Sequence, residues 1–359
     1  VADLIGFDNE RYDALMDEFE PGAKTAEIAK LFGSLAKPLA SLIREITAAP
    51  NQPDESIVHR RFPAEAQKAF ARKLAEAIGF DFERGRLDVS AHPFCTGMAP
   101  GDVRLTTRYN ENHFNSAIFG VLHEAGHGVY EQGLDPEHQY TPISHSVSLG
   151  IHESQSLTWE NLVGRSRPFW ERFYPDCQAA FPEALNGVSL DEFMGAINIV
   201  KPSMIRVEAD EATYNLHIIL RFDLERALVE DSLAVDNLPG AWNAKMEELL
   251  GIRPKNDAEG CLQDIHWSVG AIGYFPTYAL GKLYGAQFFA AARKAIPDLD
   301  DRIRGGDFHT LLDWLRTNIY RQGMRYRAGE LVREVTGAPL SPEPFMSYLR
   351  GKYAPIYGL

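Results

Sequence analysis

Apolar residues recur along most of this chain at intervals of three and four, the period of helices that bury one face in a core. The spacing predicts helices over about 24–48, 63–79, 114–132, 147–164, 204–232, 240–251, 268–294, 307–320 and 341–353, with Pro or Gly at many of the breaks. Alternation of period two is confined to short runs at 86–91, 103–109 and 143–147. The expected fold is therefore mainly α, with a small antiparallel sheet beside the 114–132 helix. Internal repeats, low-complexity tracts and long Gly/Ser linkers are absent, so residues 1–359 read as one helical domain.

The 114–132 helix carries His123-Glu124-Ala125-Gly126-His127, two histidines four apart with a glutamate after the first. At about 100° per residue the two imidazoles stand about 40° apart, with Glu124 on the same side. One metal ion can take both rings while the glutamate reaches a water held by that ion, the H-E-x-x-H arrangement of zinc peptidases. Ile118, Leu122, Ala125 and Val129 form a stripe on the opposite side, which assigns that side to the core and the metal side to a cleft.

A hydrolytic site of this kind needs a third protein ligand and one open position. The next helical stretch offers Glu153 and His152, whose side chains diverge by about 100°, so one of the two faces the metal. Glu153 is the preferred ligand, by analogy with two-histidine, one-glutamate sites, and His152 is its competitor. Glu160, seven residues on and about 20° round from Glu153, can accept the ring N–H of a ligand histidine; a solvated carboxylate is the competing reading.

Composition narrows the class further. The chain is 45% hydrophobic and 24% charged, which permits a large core, and it has no apolar run long enough to span a membrane and no signal pattern at its start. Cytoplasmic residence is the expectation. Cys95, Cys177 and Cys261 are too few and too scattered for a disulfide framework or a Cys metal site. A net charge of −14 disfavours nucleic acid and anionic membranes as partners. Phosphate-binding glycine loops and serine-nucleophile elbows are missing.

Six motifs in order then carry a resemblance: His92-Pro93-Phe94, Asp102-Val103-Arg104-Leu105-Thr106, the metal motif, His152-Glu153-Ser154-Gln155, Ile205-Arg206 through Ala209-Asp210, and Gly260 through Gln263-Asp264-Ile265-His266-Trp267. The chain resembles the thermostable (Taq-type) metallocarboxypeptidases from near Tyr12 to its C-terminus. The resemblance implies a helical, zincin-like fold with a deep groove, release of single residues from free peptide C-termini, one zinc or cobalt ion per chain, and a homodimer. Members of that family carry an additional N-terminal helical segment that this sequence lacks, which bears on groove length and dimer contact.

Roles follow from residue types. Glu124 is the expected general base. His266 and Tyr274 are the expected donors to the developing oxyanion, similar to the His and Tyr pair of helical zinc oligopeptidases, with Tyr278 in reserve. Core packing is the competing reading for both. Arg206, read as the start of a long helix, is the expected partner of the substrate carboxylate, against a salt bridge to Glu208, Asp210 or Glu211; Arg104, oriented by Asp102, is the second candidate. His92 reads as a substrate-loop or structural residue, and Asp264 as a group that aims a neighbour or caps a helix. Two other functions fit the residues: a helical zinc oligopeptidase or dipeptidyl carboxypeptidase, and a truncated, inactive peptide-binding or dimerising module.

Overall fold

The computed structural model describes residues 1–359 and is built mainly of helices. Helices at Thr25–Ala48, Ala64–Ala77, Leu238–Leu250, His309–Asn318 and Glu343–Tyr357 lie close to the ranges their periodicity predicts. Four others position the site: α1 (Phe114–Gly133), α2 (Leu149–Leu157), α3 (Tyr214–Val229) and α4 (Pro276–Ala295). Ile118, Leu122, Ala125 and Val129 on the back of α1 are fully buried in one contiguous apolar cluster of 84 residues.

Three expected helices are broken, each for a local reason. The 147–164 stretch is α2 followed by a π-helical turn, Thr158–Val163, in which the Gly164 N–H reaches the Trp159 carbonyl at 2.9 Å. The 204–232 stretch begins instead as a 3₁₀ turn, Arg206–Glu208, so Arg206 does not start a long helix. Asp210 accepts from the backbone N–H groups of Lys201, Ala212 and Thr213 at 2.9–3.0 Å and from the Thr213 hydroxyl at 2.8 Å, and this turn occupies the place of the first helical turns. The 268–294 helix starts only at Pro276, because Gly270 and Gly273 hold φ of 78° and 95°. A side chain at Gly273 would stand 2.8 Å from the Leu15 backbone. A further helix at Arg167–Ala180 contains Pro168 and Pro175, which hide it in the sequence.

The sheet has three strands, β1 (Gly85–Val89), β2 (Phe94–Ala99) and β3 (Asp102–Thr107), in the order β1-β3-β2. It is mixed rather than wholly antiparallel. The β2–β3 hairpin returns the chain between the two earlier strands, so β3 runs antiparallel to β2 (Cys95 opposite Leu105) and parallel to β1 (Leu87 opposite Leu105). The sheet lies against α1, where Gly128 makes room for Leu105 and Phe80. Residues 143–147 form no strand. Pro142–Ser144 is a 3₁₀ turn whose backbone is pressed onto Gly323, so closely that no side chain fits there.

Candidate metal centre and active site

The site begins with a close crossing of two helices. A Cβ on Gly126 would lie 2.7 Å from Ser156 Cα and 2.8 Å from the Gln155 carbonyl, so only glycine lets α1 and α2 approach this far. On the far side, a Cβ on Gly281 of α4 would lie 2.7 Å from Glu153 Cγ. Glu153 is thus held between two helices and aimed at the polar face of α1. Its Oε2 stands 3.6 Å from His123 Nε2 and 3.4 Å from His127 Nε2, and one donor atom from each of the three residues lies within 4.8 Å of the others.

A second layer fixes the imidazoles. His123 Nδ1 is 2.9 Å from Glu160 Oε2, and Arg165 approaches the other oxygen of Glu160 at 3.5 Å. His127 Nδ1 is 2.5 Å from His152 Nδ1, whose ring continues to Glu131 Oε1 at 2.7 Å. His152 therefore touches a ring of the cluster from behind and does not belong to the donor set. His123 Nδ1 faces a carboxylate acceptor and His127 Nδ1 a second ring nitrogen, which leaves both Nε2 atoms turned toward Glu153. Two neutral nitrogens and one carboxylate oxygen suit a divalent ion with an open position.

The charges point the same way. Burial works against a charge on His123, yet Glu153, Glu160 and Glu124 around it push the ring up to about 10. Burial and the neighbouring His152 push His127 down to about 4. Burial would raise Glu153, but the two histidines hold it at about 2. The pocket is one of concentrated negative charge that favours a cation. Glu124, beside it on α1, is buried and forms no side-chain hydrogen bond; burial first, then the other two carboxylates, raise it to about 7 against the opposing pull of His123.

Near enough to Glu153 for its charge to act on both tyrosines, His266 Nε2 lies 3.2 Å from the Tyr278 hydroxyl, and the Tyr274 and Tyr278 rings are 5.2 Å apart. Burial and the nearby Arg206 push His266 down to about 4, so the ring is neutral. Its Nδ1 is buried without a partner, which places the single proton on Nε2, since an orphaned lone pair costs less than an orphaned N–H. Arg206, 5% exposed, does not pair with Glu208, Asp210 or Glu211. Its Nε and Nη2 reach Asp264 Oδ1 at 2.9 and 2.7 Å, and its Nη1 donates to the Tyr214 hydroxyl at 2.5 Å. Arg221 holds the other oxygen of Asp264 at 2.5–2.7 Å, so the triad carries a net positive charge.

The remaining candidates lie apart. Arg104 is clamped on Asp102 at 2.5 and 2.7 Å on the sheet, and His92 sits exposed in the β1–β2 loop; neither bonds to a residue of the metal cluster. Four residues at the site escaped the sequence reading. Tyr214 and Arg221, seven apart, share the face of α3 that meets Asp264 and Arg206. Lys282, 8% exposed, donates to the Glu211 carbonyl at 3.0 Å and lies 4.8 Å from the Tyr214 ring. Glu131 follows His127 by one helical turn, a spacing that flags it as a neighbour of the metal face. A cavity of about 1480 Å³ elsewhere on the molecule, lined by Asn161, Arg165 and Tyr348 among others, includes none of the metal donors.

A helical scaffold presenting H-E-x-x-H, a glutamate from the next helix, and a nearby His–Tyr–Arg group is that of metal-dependent peptide hydrolases. Residues 1–353 match the carboxypeptidase Taq (M32) metallopeptidase family, to which this chain belongs. It is 52% identical to thermostable carboxypeptidase 1 of Thermus thermophilus over 97% of its own length and 68% of that protein. For carboxypeptidase 1 of Bacillus subtilis the figures are 44%, 98% and 70%. The solved M32 carboxypeptidase of Deinococcus radiodurans R1 superposes with a TM-score of 0.96 at 44% identity, over 98% of this chain and 71% of that one. The protein is a metallocarboxypeptidase, and the oligopeptidase and inactive-module readings are not favoured.

Proposed function

We propose that one zinc ion per chain, replaceable by cobalt, is held by Nε2 of His123, Nε2 of His127 and a Glu153 oxygen, and that the enzyme frees single residues from unblocked peptide C-termini. The observation that carries this is the pair of Nε2 atoms aimed at Glu153 at 3.6 and 3.4 Å, each ring held by a polar partner on Nδ1. When bound, such an ion polarises a peptide carbonyl and brings the pKa of its water toward about 7.

The chain's own residues supply the rest. Glu124 takes the proton of the attacking water on its carboxylate and passes it to the departing amine. His266 Nε2–H and the hydroxyls of Tyr274 and Tyr278 donate to the carbonyl oxygen as it gains charge. Arg206, held by Asp264 and Tyr214, brings the positive charge of its triad to the substrate's terminal carboxylate, while Arg104 and His92 contact peptide farther along the cleft. Glu160 and Asp264 position His123 and Arg206.

We read residues 1–359 as one catalytic domain that works in the cytoplasm as a homodimer on peptides alone. All three cysteines are free, in keeping with a reducing compartment, and no helix is long and apolar enough to cross a membrane. The test is metal analysis of the purified chain together with mass spectrometry of matched free-acid and amidated peptides. Zinc near one per chain and stepwise single-residue loss from the free acid alone is the expected result. Internal cleavage of the amidated peptide would overturn the exo assignment.

A further inference from the structure

We infer that His152 is a positioning residue for the metal centre, which together with Glu131 holds His127 in the tautomer whose Nε2 lone pair faces Glu153. The two Nδ1 atoms are 2.5 Å apart, a separation that demands one proton between them. Two lone pairs would repel and two N–H groups would clash. Which ring owns that proton is decided at the far end of the chain of contacts. Glu131 Oε1, 2.7 Å from His152 Nε2, accepts and cannot donate when ionised, so a His152 ring that holds one proton holds it on Nε2. His152 Nδ1 is then the acceptor, His127 donates from Nδ1, and His127 Nε2 is left bare. The opposite arrangement would put a hydrogen on His127 Nε2, directed at Glu153 Oε2 3.4 Å away, and would close the coordination position.

Packing holds the relay in place. The His152 ring lies against Tyr130 at 5.1 Å and His127 at 4.6 Å. Gly97 of β2 leaves room for Glu131, since a Cβ there would stand 3.1 Å from its Oε2. His123 is oriented by a carboxylate directly, whereas His127 is oriented by a carboxylate acting through a second imidazole. The two ligand rings therefore differ in how their tautomers are set.

This inference rests on His127 as a metal ligand. The experiment titrates the metal-free chain with Co²⁺ and with Zn²⁺, reading affinity and the visible spectrum of the cobalt form, with thermal unfolding of each metal-free variant as the fold control. His152→Leu should weaken metal binding about 10- to 100-fold and alter the cobalt spectrum. His152→Gln, whose carbonyl can accept the same N–H, should recover most of the affinity. Glu131→Ala should weaken binding in the wild-type background and change nothing further beside His152→Leu, because it acts only through that ring. Wild-type affinity in His152→Leu, or an undiminished Glu131→Ala loss in the double variant, would overturn the relay. Full metal retention by His127→Ala would instead remove the metal-site reading, and the relay with it.

Discussion

Nδ1 of His123 and Oε2 of Glu160 are 2.9 Å apart, and Glu160 lies in the π turn into which the helix widens after Leu157. A π turn inserts a residue into the helical count, a device found often at functional sites because it re-aims one side chain without breaking the helix. Glu160→Ala should therefore loosen His123 and weaken metal affinity about 10- to 100-fold, with Glu160→Gln in between, since its amide oxygen still accepts. Equilibrium titration of the metal-free chain measures it; unchanged affinity in both variants would separate Glu160 from the metal.

In the proposed mechanism Glu124 moves protons and does not bind the ion. Glu124→Gln keeps the shape of the side chain, so metal content should stay near the wild-type value while turnover falls by about 100-fold or more. Metal analysis and kcat on one peptide, taken together, check this. Turnover at the wild-type level would remove the base.

The crossing at Gly126 makes a prediction about packing. Gly126→Ala sets a Cβ 2.7 Å from Ser156 Cα, where backbone on both sides has no flexible end to yield. Overpacking of this kind costs about 1–3 kcal/mol, and here it also moves Glu153 away from the two imidazoles. The expected outcome is a lower melting temperature together with loss of tight metal binding. A variant that is destabilised yet binds metal normally would show that the helices separate without carrying Glu153.

In the proposed function the direction of cleavage rests on Arg206. Arg206→Ala should reduce kcat/KM on free-acid peptides by an amount worth about 2–5 kcal/mol and reduce it far less on amidated ones. Arg206→Lys should restore only part, because an ammonium cannot bridge Asp264, Tyr214 and a substrate carboxylate with one planar fork. An equal proportional loss on both peptides would move the role elsewhere, and a selective loss in Arg104→Ala would move it to the sheet.

His217 gives a pH dependence of stability. It is fully buried, neither ring nitrogen has a partner, and burial, with Arg221 and Arg206 nearby, pushes it from 6.5 to about 3. The unfolded chain thus takes up the proton first, so stability contributed by this site is full above pH 6.5 and is lost as pH falls toward about 3. The loss approaches about 1.4 kcal/mol per pH unit below the unfolded value. His217→Leu should flatten that limb, its stability relative to the wild type rising between pH 7.5 and 5 in urea unfolding. Parallel curves for the two proteins would mean that His217 does not set the acid limb.

What the sequence by itself determined is local. Helical periodicity located α1 and its buried stripe, and the spacing of His123, Glu124 and His127 put three chemical groups on one face, because a helix fixes angular positions within a few turns. The order of six motifs pointed to the family. Breaks in the helices were less legible: Asp210 folding back on three N–H groups and the positive φ of Gly273 are effects of single residues that periodicity averages away. Only the tertiary structure decided that His152 lies behind His127, that Asp264 joins Arg206 to Arg221, and that Gly126 and Gly281 close on Glu153 from two sides. Those relationships join residues tens to more than a hundred positions apart, and they depend on how closely backbones approach, a quantity that no spacing along the chain encodes.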